Sequence, residues 1–107
     1  GLVTIDTGAL RCTVIGENNY LMKHSHVGHD AILGNNVTVS CGAKIGGHCE
    51  IGEGTNIGLN AVIHQKKVVP NGGMIGMGAV VTKGLVMEEN QKYVGNPAKW
   101  LSENIIK

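Results

Sequence analysis

Every sixth residue from Ile15 to Val81 is aliphatic: Ile15, Leu21, Val27, Leu33, Val39, Ile45, Ile51, Ile57, Ile63, Val69, Ile75 and Val81. The next residue is glycine at seven of these twelve steps, at positions 16, 28, 34, 46, 52, 58 and 76. Four residues after the aliphatic, nine of the twelve positions are small: Ser25, Ala31, Val37, Ala43, Cys49, Thr55, Ala61, Gly73 and Ala79. Asn19, Lys67 and Leu85 are the exceptions. A fixed internal period outranks local propensity, because repeats bury their apolar faces by stacking on one another. A six-residue unit with one large inward residue, one small inward residue and a bend that tolerates glycine forms one side of a triangular coil. Three sides close a coil, and coils stack at about 4.8 Å, the spacing of neighbouring strands. The expected fold class is therefore all-β, a parallel β-helix of hexapeptide repeats.

Stacking at three units per coil gives three inner columns: Ile15/Leu33/Ile51/Val69, Leu21/Val39/Ile57/Ile75 and Val27/Ile45/Ile63/Val81. Composition agrees with a narrow interior filled by aliphatic side chains. Glycine numbers 17 of 107 residues, phenylalanine is absent, and tryptophan and tyrosine contribute one and two residues. An ordinary small core leans on aromatic bulk, which this chain lacks. The glycines have no three-residue period and there are two prolines, which excludes collagen. A net charge of +1 without a basic run argues against nucleic-acid binding. No apolar stretch approaches membrane-spanning length, so no membrane insertion is expected. Cys12, Cys41 and Cys49 lack paired spacing, which predicts reduced thiols and a cytoplasmic setting.

The pattern divides the chain into a β-helix over 1–86 and a C-terminal extension over 87–107. Within the β-helix, Lys66–Gly73 breaks the rule, with Lys67 at an inward position followed by Pro70 and Gly72-Gly73, and predicts a distorted coil or a projecting loop. Beyond it, Asn96-Pro97 has the form of an N-cap and first residue of a short helix carrying Trp100, Leu101 and Ile105.

Periodicity also places the histidines. His26 and His29 flank Val27, His48 follows Ile45 by three residues, and His64 follows Ile63 directly. All four belong to one edge of the prism on three successive coils, with His24 at the preceding corner. None is at an inward position of the repeat. Clustered neutral imidazoles suit general-base catalysis or a metal site of three histidines. Glycine corners add backbone N–H groups able to stabilise an oxyanion. Cys49 takes a small inward position and is expected in the core, whereas Cys41 is at a corner.

The hexapeptide repeat resembles the left-handed β-helix acyltransferases over nearly the whole chain. Asn19-Tyr-Leu-Met-Lys-His-Ser-His-Val-Gly-His-Asp30, Gly46-Gly47-His48 and Ala61-Val62-Ile63-His64-Gln65 are similar to the bacterial UDP-N-acetylglucosamine acyltransferases of lipid A synthesis. Tyr93-Val-Gly-Asn-Pro-Ala-Lys99 is similar instead to sugar O- and N-acetyltransferases that use acetyl-CoA. The resemblance implies a left-handed coil, a homotrimer with clefts between prisms, and acyl transfer from coenzyme A to a hydroxyl or amino group of a sugar or sugar nucleotide. It makes His29 the general base, with Asp30 beside it and the Gly47 N–H as oxyanion donor. His26, His48, His64 and Gln65 would line the substrate cleft. Coenzyme A would lie near Gly76, Gly78 and Ala79, with Lys83 and Lys99 toward its phosphates. No metal is required.

Two alternatives stand beside this reading. A γ-type zinc carbonic anhydrase shares the fold, and His24 and His29 have its five-residue separation, but Val69 occupies the place where a partner ligand to His64 would be needed. A non-catalytic trimeric scaffold would bind no coenzyme A. In the lipid A enzymes further coils and a helical region surround the matching stretch. The 107 residues contain neither, which leaves a fragment, a minimal enzyme and a divergent relative as open descriptions.

Overall fold

The computed structural model describes residues 3–5 and 13–104. Fifteen strands occur among them, beginning with β1 (Thr4–Ile5), β2 (Val14–Ile15), β3 (Tyr20–Leu21) and β4 (His26–Val27). The next two coils contain β5 (Ile32–Leu33), β6 (Thr38–Val39), β7 (Lys44–Ile45), β8 (Glu50–Ile51), β9 (Asn56–Ile57) and β10 (Val62–Ile63). The chain continues through β11 (Val68–Val69), β12 (Met74–Ile75), β13 (Val80–Val81), β14 (Gln91–Val94) and β15 (Lys99–Glu103).

Strands three apart pair in parallel up to β13, and β14 pairs in parallel with β12, so the sheets run β1-β4-β7-β10-β13, β11-β8-β5-β2 and β15-β14-β12-β9-β6-β3. Each pairing joins residues 18 apart, as in Val62↔Val80, apart from Thr4↔His26 at the N-terminal end and the final antiparallel pair. This is a left-handed parallel β-helix. In every two-residue strand from β4 to β13 the second side chain is buried and the first is not. Val27, Val39, Ile45, Ile57 and Ile75 have no exposed surface. Each such aliphatic contributes about 1.5–3 kcal/mol relative to an exposed position. Met87 and Tyr93, 18 residues beyond Val69 and Ile75, extend two of the columns by one rung.

The exceptions to the small-residue rule have local explanations. Asn19 satisfies its amide inside the coil: its Nδ2 donates to the Gly34 carbonyl at 3.0 Å, and its Oδ1 accepts from Val37 N–H at 2.7 Å. Lys67 does not produce a projecting loop. Strand β11 pairs with β8 in register, and the half-buried Lys67 sends its ammonium out to the Lys83 carbonyl at 3.0 Å. Residues 84–88 make no backbone hydrogen bond to β11, where Pro70 lacks an N–H to offer. The departure from regularity is this opened rung.

The expected C-terminal helix does not form. Residues 91–103 are an antiparallel hairpin, and Asn96-Pro97, joined by a cis peptide bond, lies in its turn. Tyr93 explains the difference, since it pairs with Ile75 and buries its ring at the end of that column, which commits Gln91–Val94 to the sheet. Ala98, also buried, donates its N–H to the Val80 carbonyl at 2.8 Å and closes the third column. Trp100 and Leu101 are exposed, and Ile105 lies outside the described residues. No helix among the described residues is long and apolar enough to cross a membrane.

Candidate active site

From Asn18 to Gly78 each corner turns through a residue in the left-handed region, three positions after the inward aliphatic. At one edge these residues are Asn18, Asn36, Gly54, Gly72 and Asn90, and at a second they are His24, Gly42, Asn60 and Gly78. Asparagine and glycine are the residues that adopt this conformation most readily. The third edge departs from the pattern: Asp30, His48 and Lys66 have φ of +59°, +59° and +60°. Ionisable side chains here replace the residues that corner geometry favours.

Asp30 is fully buried and His29, next to it, is half-exposed. Its carboxylate can only accept, so His29 Nδ1–H donates to Asp30 Oδ2, at 3.0 Å. That bond orients the ring and leaves Nε2 as the acceptor end. Asp30 is itself held by its backbone N–H, which donates to Thr13 Oγ1 at 2.9 Å. His48, on the next coil, sets Nε2 3.6 Å from the same Asp30 oxygen. Its ring meets that of His29 edge-on, with centroids 5.1 Å apart. The backbone ties the two coils together where His48 N–H donates to the His29 carbonyl at 2.9 Å.

Gly47 lies directly against the free end of His29. A Cβ at Gly47 would be 2.7 Å from Nε2 and 2.9 Å from Cε1 of that ring. At the first edge, equivalent corner N–H groups are capped by asparagines one coil on: Glu17 by Asn35 Oδ1 and Glu53 by Asn71 Oδ1, both at 2.8 Å. Gln65 stands one coil on from Gly47, and no acceptor among the described residues takes the Gly47 N–H. An imidazole nitrogen and an unclaimed backbone donor thus share one corner.

The remaining histidines face elsewhere. His26 lies on β4 and hydrogen-bonds Thr4 Oγ1 through Nδ1. His64 is exposed, and its Nδ1–H donates to the Gln65 carbonyl at 2.9 Å. No three histidines converge among the described residues, and the one cluster with metal-ligand spacing is His29, Asp30 and His48. His64, Gln65 and Lys83 line an open groove of about 570 Å³ together with Lys66, Lys67, Val86 and Met87. That groove is the gap left by the opened rung.

Gly76, Gly78, Ala79 and Lys99 are not brought to this edge. Gly76 is covered by Val94, whose Cγ1 would lie 2.6 Å from an added Cβ, and Lys99 pairs with Val94 across the hairpin. Gly78 takes a corner with φ +69° and open space around it, and Ala79 fills the interior. Cys49 is buried, its thiol donates to the His64 carbonyl at 3.1 Å, and burial pushes its pKa up. Cys41 is exposed.

Residues 12–47 match the bacterial transferase hexapeptide (six repeats) family. The chain is 34% identical over 91 residues to an acyl-[acyl-carrier-protein]–UDP-N-acetylglucosamine O-acyltransferase of Helicobacter pylori, a match covering 81% of this chain and 34% of that protein. Among solved structures it resembles the UDP-N-acetylglucosamine O-acyltransferase of Moraxella catarrhalis, with a TM-score of 0.88 at 28% identity, over 95% of this chain and 40% of that one. It also resembles the acetyltransferase domain of PglB from Neisseria gonorrhoeae in complex with acetyl coenzyme A, with a TM-score of 0.76 at 25% identity, over 92% of this chain and 54% of that one. The chain spans about a third of the length of the first of these relatives. The resemblance to hexapeptide-repeat acyltransferases drawn from the sequence is upheld by these matches.

Proposed function

We propose that this chain, a hexapeptide-repeat β-helix similar to acyltransferases of nucleotide-linked sugars, is the catalytic coil of such an enzyme. It transfers an acetyl or short acyl group from coenzyme A to a hydroxyl or amino group of a sugar or sugar nucleotide. The observation that carries this reading is the line Asp30–His29–Gly47: a buried carboxylate on Nδ1, and Nε2 resting beside an unclaimed backbone N–H.

A thioester is already activated, so alignment, proton removal and oxyanion stabilisation suffice. His29 Nε2 takes the proton of the attacking hydroxyl or amine as its oxygen or nitrogen bonds to the thioester carbon. The carbonyl oxygen becomes an oxyanion that the Gly47 N–H stabilises, and buried Asp30 stabilises the imidazolium. Collapse breaks the C–S bond, and the imidazolium proton passes to the departing thiolate. No cysteine takes part. His26, His48, His64 and Gln65 serve the acceptor side.

The acetyl-CoA held by the similar PglB domain supports a coenzyme A donor. Lys83, which lines the groove, would meet its phosphates. Gly76, Gly78, Ala79 and Lys99 lie at another edge, and a homotrimer would bring that edge of one subunit against the histidine edge of its neighbour. The outward apolar side chains Tyr20, Met22 and Val62 favour such burial.

Acetyl-CoA turnover against amino and hydroxy sugars and their nucleotide derivatives, with His29→Ala beside the parent, tests the reading. Loss of about 10²–10⁴-fold in rate is expected, and full activity in His29→Ala overturns the mechanism. Turnover with acyl carrier protein thioesters alone would reassign the donor.

A further inference from the structure

The site contains a second chemistry that acyl transfer does not use. One ligand atom each from His29, Asp30 and His48 lies within 4.8 Å of the other two. Two of the separations are 3.0 Å, from His29 Nδ1 to Asp30 Oδ2, and 3.6 Å, from His48 Nε2 to the same oxygen. A tetrahedral ion with ligands at about 2.0–2.1 Å needs ligand atoms roughly 3.4 Å apart. Those two edges bracket that value, and the third, between the two histidine nitrogens, is no longer than 4.8 Å, so the rings need only draw together around an ion.

We propose that His29, Asp30 and His48 form a binding site for a divalent transition cation of the zinc type, with its fourth position open to solvent. Two imidazole nitrogens and one carboxylate oxygen select zinc-like ions over magnesium or calcium, which prefer all-oxygen shells. The fully buried Asp30 supplies negative charge where water screens it least, and the partial exposure of His29 and His48 leaves a path in. All three positions are fixed by the coil: Asp30 and His48 by corner geometry, and His29 by contact with Gly47. The set differs from a three-histidine centre, since His26 and His64 are engaged elsewhere.

Occupancy has a consequence that rests on the acyl-transfer reading. A cation on Nδ1 of His29 displaces the proton from that nitrogen. The neutral ring then carries its hydrogen on Nε2, the end beside Gly47, and cannot accept a proton from the acceptor. The same ion that fits the cluster therefore switches the base off, reversibly.

The test uses the chain purified without a polyhistidine tag. Zinc binding is followed by calorimetry, and cobalt substitution by visible absorption. One equivalent is expected, with a tetrahedral-type cobalt spectrum. Affinity should fall by more than about tenfold in Asp30→Asn and in His48→Asn, and stay unchanged in His24→Asn. Asparagine is chosen because it tolerates the left-handed conformation at all three positions, and thermal melts identify any variant that fails to fold, leaving the other to decide. No uptake by the parent, or binding undiminished in the folded variants, overturns the site. Zinc binding with undiminished acyl transfer overturns the switch. A metal-free chain without transferase activity counts against the acyl-transfer reading alone, because binding is read without substrate.

Discussion

The Nε2 edge of His29 rests on Gly47 so closely that a single methyl group there would come within 2.7 Å of the nitrogen. The two residues are on adjacent coils, 18 apart in sequence, and the stacking of the coils alone brings them together. If His29 is the base of the proposed reaction, Gly47→Ala should displace it while leaving the columns untouched. A shift of about 1 Å is worth roughly 10²-fold in rate. Steady-state kinetics should show that loss in kcat with a near-parental melting temperature.

Asp30 fixes which nitrogen of His29 carries the proton. In Asp30→Asn the amide can donate to Nδ1, which favours the tautomer with Nε2–H and removes the acceptor. The expected loss in kcat is about 10²-fold or more with KM little changed. Asparagine fits the left-handed corner, so circular dichroism should match the parent.

Ile57 is fully buried in the middle column, between Val39 and Ile75. Ile57→Ala leaves a cavity that rigid coils above and below cannot collapse. It should cost about 2–5 kcal/mol, measured by chemical denaturation. A cost under about 1 kcal/mol would mean that the stack relaxes along its axis.

The thiols should separate by reactivity. Burial raises the pKa of Cys49 above its ordinary value of 9.0, so its reactive thiolate is scarce at neutral pH. Cys41, exposed, should be alkylated first, as read by peptide mass mapping near pH 8. The sign for stability follows: the folded state holds the Cys49 proton more tightly than the unfolded chain. Its contribution is therefore complete below the ordinary value and is lost as pH rises above it. Cys49→Ala should blunt that alkaline loss in urea melts.

The six-residue period dictated most of this architecture, because an inward residue at every sixth position can be satisfied only by stacked triangular coils. Ile15 through Val81 could be assigned to columns, and His29, Gly47 and His48 to one edge, before any coordinates. The detail of the site was harder to read. That Asp30 and His48 take left-handed corners follows from their register with Asn18, Asn36 and Asn60, a signal present in the sequence as departures from asparagine and glycine. The partners chosen by His26 and His64 depend on ring orientation, which spacing does not encode. At the C-terminus a local signal misled: Asn96-Pro97 has helix-start chemistry, yet Tyr93 repeats the 18-residue interval from Ile75, and the tertiary register prevailed.

The hairpin that replaces that helix has a further consequence. A stack of parallel rungs presents its last rung as a template for another copy, and nothing in the coil geometry itself limits how far such growth runs. Here β15 turns back antiparallel on β14, and Ala98 covers the end of the third column. The reversal breaks the translational symmetry that head-to-tail fibre formation would need. The hairpin over 91–103 thus caps this face of the stack, and deleting it would bare the β12 strand edge that β14 pairs and the Val80 carbonyl that Ala98 now takes.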